Sequence, residues 1–109
     1  MAMLRRKQRS NQTPPPGEEI AATSIAEAQP RQHVCVIGKV TRMTARPTSG
    51  EPALAVSISD DTGTVTAVWT GRREIGGITL GRRVAIDGVP VRRGDHLEFT
   101  NPGYTLLPR

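Results

Sequence analysis

Apolar and polar residues alternate most strictly between Ala53 and Thr70. Leu54, Val56 and Ile58 recur at period two, and so do Val65, Ala67 and Trp69. Ala, Ser and Thr fill most of the positions between them. That period marks strands with one buried and one open face. Asp60-Asp61-Thr62-Gly63 separates the two runs. Asp side chains bond backbone amides two residues on, and Gly63 turns without a Cβ clash. The pattern predicts a hairpin whose outer face carries Ala53, Ala55, Ser57 and Ser59 opposite Thr64, Thr66, Val68 and Thr70.

The remaining segments read as short strands and turns around this hairpin. Residues 32–44 form a long first strand, with Val34 and Val36 on one face and Cys35 and Ile37 on the other. Gly38 interrupts it, and a glycine within a strand marks a bend that lets one strand pair in two places. Residues 45–52 are a turn-rich loop. Residues 71–81 hold four glycines, too many for a stable helix of that length, so a loop with at most one helical turn is predicted. Residues 82–89 give a fourth strand with Val84 and Ile86 together. Pro90 to Gly94 make a turn, and His96 to Thr100 a fifth strand, its Leu97 and Phe99 opposed to His96 and Glu98. Asn101-Pro102-Gly103 turns again before Tyr104. Upstream, Ser24 and Glu27 fit a capping box for a helical turn that places Ile25 and Ala28 on one face. Pro30 ends it.

Five short strands, a bent first strand and no substantial helix predict an all-β fold: a five-stranded OB-fold Greek-key barrel with an N-terminal helical turn. An SH3-like barrel is the alternative, though it carries more aromatics. The expected organisation is a disordered basic, proline-rich arm over 1–17, a helical lead-in over 18–30 and the barrel over 31–109.

Composition sharpens this picture. At 109 residues the chain holds one domain with a modest core. Phe99, Trp69 and Tyr104 are its only aromatics, so the core is aliphatic. No apolar run approaches the ~20 residues of a membrane span, and no apolar segment follows the basic N-terminus as in a signal peptide. Cys35 is alone and has no internal disulfide partner, which makes a reducing cytoplasm the expected setting. The net charge of +5 divides into +4 over residues 1–17, −3 over 18–29 and +4 over 30–109. Thirteen of the fifteen basic residues are Arg, whose planar fork suits phosphates and base stacking.

The residues Val36-Ile37-Gly38-Lys39-Val40, Asp60-Asp61-Thr62-Gly63-Thr64, Val68-Trp69, Gly81-Arg82-Arg83-Val84, Gly88 and Asn101-Pro102-Gly103-Tyr104 carry a family likeness. From Ile25 to Leu106 the chain resembles bacterial OB-fold nucleic-acid-binding domains. It is most similar to the wedge domain of RecG-type helicases and to small stand-alone actinobacterial OB-fold proteins. The anticodon-binding OB domains of aminoacyl-tRNA synthetases are more distantly similar. The resemblance implies a barrel that binds nucleic acid. It does not extend to helicase motor modules, so it implies no ATP-driven unwinding.

In OB-folds the ligand lies across strands two and three, between the loops joining strands one to two and four to five. The predicted contacts are Arg42 and Arg46 at the first loop and Arg92 and Arg93 in the second. Arg72 and Arg73 lie past the hairpin, and Ser57, Ser59 and Thr66 on its open face. Lys39 is a weaker addition. Trp69 has two open placements: in the core with Val65 and Ala67, or in the groove, stacked on a base, if a bulge shifts the register. His33, His96 and Cys35 have no zinc-ligand spacing, no catalytic triad or phosphate-cradling loop can be assembled, and no cofactor is expected. The expected function is a non-enzymatic module that binds single-stranded DNA or RNA, mainly through phosphates, with the arm adding non-specific attraction. The alternative is a protein-binding adaptor built on the same barrel. Neither a membrane nor a small-molecule substrate is expected as partner.

Overall fold

The computed structural model describes residues 21–47 and 49–108. The predicted arm over 1–17 lies outside them, as does the start of the lead-in. Among the described residues, seven strands follow the 3-10 turn Ile25–Glu27: β1 Val34–Ala45, β2 Ala53–Ser59, β3 Thr64–Thr70, β4 Arg83–Gly88, β5 Val91–Arg93, β6 His96–Thr100 and β7 Gly103–Leu106. They form one sheet in the order β5-β6-β3-β2-β1-β4-β7. The all-β expectation holds, but there are seven strands rather than five, and the sheet is not closed into a full barrel. It curls instead, bringing β4 and β6 to one core. Val84, Ile86, Leu97 and Phe99 pack there with Val36, Val40, Leu54, Val56, Ile58, Val65, Ala67 and Trp69.

The β2–β3 hairpin has the predicted register, Ala53 opposite Thr70 through Ser59 opposite Thr64. Every apolar position of its inner face is buried. Asp60 secures the turn. Its Oδ1 accepts hydrogen bonds from the Thr62 amide (2.7 Å), the Thr62 hydroxyl (2.6 Å) and the Gly63 amide (3.0 Å). The same turn holds the 3-10 segment: the Ile25 amide donates to Asp60 Oδ2 and the Ala26 amide to Thr62 Oγ1. The predicted capping box is thus replaced. Ser24 makes no side-chain cap bond, and its hydroxyl donates to Glu27 Oε1 instead. The hairpin turn reaches the exposed amides from across the molecule. Ile25 and Ala28 share a buried face, as their spacing requires.

β1 pairs with β4 over Val34 to Lys39 and with β2 over Lys39 to Ala45. Gly38 sits where the two pairings meet. A Cβ there would lie 2.6 Å from the Ser59 carbonyl oxygen and 2.7 Å from Ile58 Cγ2. Glycine is needed for room, not for an unusual φ.

One segment departs from expectation, and a second agrees with it but adds an unforeseen burial. Residues 91–93 are not a loop but a strand, paired with β6 and turned by Gly94 at φ 64°. The 71–81 segment is a loop without a helical turn, but its Ile75 and Ile78 enter the core, a burial that its many glycines masked.

Candidate functional site

One outer surface crosses β5, β6, β3, β2 and the second half of β1. Residues opposite one another on paired strands share a face. Thr66 lies opposite Ser57 on β2 and Glu98 on β6, Ser57 opposite Arg42 on β1, and Arg93 opposite His96. Ser59 and Thr64 continue the surface, their hydroxyls 2.8 Å apart.

The bulge in β1 decides which way Arg42 points. Before it, Val36, Gly38 and Val40 face inward. Pairing then jumps from Val40 opposite Ile58 to Arg42 opposite Ser57, leaving Thr41 extra. The added residue reverses the alternation. Met43 therefore packs on the core, and Arg42 joins the outer face.

Arg46 follows β1 and keeps its backbone paired, its amide donating to the Ala53 carbonyl at 2.8 Å. Its side chain crosses the sheet to Glu98 on β6, with Nη2 2.9 Å from Oε1. Arg93 approaches the same carboxylate from β5, with Nε 3.7 Å from Oε2. The Glu98 side chain is only 6% exposed, while Arg46 and Arg93 are 47% and 63% exposed. Ala53, Ala55 and Val68 form a small buried apolar group on this same outer face. Small side chains there let a long one lie across the sheet.

The structure therefore brings Arg42, Arg46, Ser57, Ser59, Thr66 and Arg93 onto one surface. Arg92 is not with them: it lies opposite Leu97, on the other side of β5. Arg72 and Arg73 are exposed just beyond β3. Arg73 lines a shallow groove of about 320 Å³ with Ala45, Pro47, Gly50, Glu51, Pro52 and Ala53 at the β1–β2 connection. Trp69 is 6% exposed and belongs to the core. Its indole Nε1 donates to the Pro102 carbonyl at 3.1 Å, and the Tyr104 ring meets it edge-on at 5.8 Å. Its groove placement is excluded, because such a ring offers no face to a base. The Asn101-Pro102-Gly103-Tyr104 stretch is thus structural. Asn101, at φ 48°, takes the Thr70 amide on its side-chain oxygen, and the Tyr104 hydroxyl donates to the Gly76 carbonyl.

Glu98 escaped the sequence reading as a site residue. Its only signal was an acid on the outer phase of a strand beside an Arg pair. Elsewhere, Cys35 lies opposite Asp87, and His33 Nε2 also contacts that carboxylate. Burial, with the Asp87 charge adding to it, pushes the Cys35 thiol from its ordinary 9.0 up to about 11. At neutral pH it is therefore not a thiolate nucleophile. Among the described residues no group of three His, Cys, Asp or Glu is placed to hold a metal ion. No helix among them is long and apolar enough to cross a membrane.

A curled, mostly antiparallel sheet with an arginine-flanked β2–β3 face defines an OB-type binding domain. Residues 34–107 match the tRNA anti-codon family, described as an OB-fold nucleic acid binding domain, and the chain belongs to that family. No curated protein matches it significantly.

Proposed function

We propose that this domain binds nucleic acid without catalysing a reaction, across the outer face of β1, β2, β3 and β6. Arg42, Arg46 and Arg93 contact phosphates, Arg72 and Arg73 extend the basic track past β3, and the hydroxyls of Ser57, Ser59 and Thr66 line its floor. The observation that carries this reading is the convergence of Arg46 and Arg93 on one face, beside an Arg42 turned outward by the bulge. Family membership supports the same ligand class. Single strands are the favoured form, since OB-folds hold oligonucleotides on this face. With Trp69 and Phe99 buried, stacking contributes little, and affinity rests on phosphate contacts.

Fluorescence anisotropy with a labelled 20-mer DNA, its RNA counterpart and the duplex tests this. The chain binds at low salt, and affinity falls steeply as salt rises. Arg42→Ala and Arg93→Ala each lower the log–log salt slope by about 1. Unchanged slopes would remove this face from the interface.

A second reading rests on β5. This edge strand leaves one side unpaired and exposes Val91, with Val89 exposed beside it. Such an edge suits a protein partner. A stoichiometric protein complex, with no affinity for any of the three nucleic acids, would favour it.

A further inference from the structure

Among the described residues Glu98 is the one buried acid, on a face whose other polar side chains are mainly hydroxylic and basic. A carboxylate within a surface proposed to bind phosphates opposes the ligand's charge, so its presence needs a reason. Its two oxygens are divided between two arginines from different parts of the chain, Arg46 after β1 and Arg93 on β5. Both arginine side chains remain about half exposed, while that of Glu98 is buried. Stripping the partners from a buried carboxylate costs more than a solvent-facing phosphate contact returns. A phosphate therefore meets the two arginines with Glu98 still in place.

We propose that Glu98 is a positioning residue, holding Arg46 and Arg93 as a preformed fork for one phosphodiester group, an inference that rests on the nucleic-acid reading above. An arginine presents five N–H donors in a planar array, so a guanidinium held on one edge presents others to solvent. Glu98 removes one unit of positive charge from the face. In exchange it fixes two long side chains that would otherwise lose rotamer freedom on binding. Its place on β6, next to Arg93 on β5 and across β3 and β2 from Arg46 at the end of β1, sets where the phosphate sits.

The test combines binding with a direct view of the arginines in the full chain. In ¹⁵N spectra without ligand, the Nη–H groups of Arg46 and the Nε–H group of Arg93, the groups that face Glu98, give distinct signals. In Glu98→Gln they move to solvent-averaged positions. With the labelled 20-mer, Glu98→Gln weakens binding roughly three- to tenfold although it makes the face more positive. That loss vanishes in an Arg46→Ala, Arg93→Ala background. Arg93→Lys, which keeps the charge at an exposed site, also weakens binding, because a point charge cannot replace a held fork. Should Glu98→Gln fail to fold, Arg93→Lys and Arg46→Lys decide the matter, and full affinity in both would overturn the proposal. Equal or tighter binding by folded Glu98→Gln would also overturn it, making Glu98 a competitor of the phosphate. Failure of the wild-type chain to bind any oligonucleotide would instead defeat the nucleic-acid reading itself, and this proposal with it.

Discussion

Asp60 serves two elements with one carboxylate. It closes the β2–β3 turn through Thr62 and Gly63 and caps the 3-10 turn through Ile25. Burial by itself would raise its pKa. The bonds from the Thr62 hydroxyl and from the Ile25, Thr62 and Gly63 amides outweigh that and hold it below its ordinary 3.8. Because the folded value is lowered, the stabilisation is complete above the ordinary carboxylate range and is lost as pH falls through the folded value. Asp60→Ala is expected to cost about 1–2 kcal/mol at neutral pH, the usual range for a lost cap and turn bond. In urea titrations the gap to wild type closes as pH falls through that lowered value, below the ordinary carboxylate range. The Asp-Asp-Thr-Gly run was legible as a turn because those side chains bond nearby amides. Its bond to residue 25 was not, since local sequence does not say what a turn will touch. Glu98 was hidden for the same reason: a charge becomes buried only once distant partners arrive.

β1 shows how an element can be read in outline and missed in detail. Gly38 announced a bend, and the bend does divide the strand between β4 and β2. Nothing local announced the bulge after Val40, because Thr41 fits either side of a strand. Yet that bulge turns Arg42 outward. β5 was read as a turn because three residues between Pro90 and Gly94 are too few to show a period. The short strand sets Arg92 on the other side of β5 from Arg93, and it is the strand rather than a loop that aims Arg93. The hairpin was legible throughout, since seven alternating residues on each side admit one buried face. Gly38→Ala places a methyl 2.6 Å from a backbone oxygen that cannot yield without breaking the β1–β2 crossing. It is expected to cost about 1–3 kcal/mol, as overpacking does, measured by chemical denaturation. Binding by the folded fraction should change little.

At the scale of the molecule, the division of labour follows from an open, curled sheet. Its inner face takes nearly all the large apolar side chains, including Trp69 and Phe99. Its outer face keeps small and hydroxylic residues, over which the arginines lie. A chain with three aromatics cannot both fill its core and stack bases, and here the core has two of them, with Tyr104 set edge-on against Trp69. Under the proposed function, recognition by such a surface is led by the phosphate backbone, tolerant of sequence and strongly salt-dependent. The most direct test is a map of backbone amide shifts in ¹⁵N-labelled full-length chain titrated with a single-stranded 20-mer at low salt. The account predicts perturbations centred on Arg42, Ser57, Thr66 and Arg93, fading as salt is raised, with β4 and β7 quiet. Shifts confined to β4, β7 or the 71–81 loop, or none at all, would contradict it.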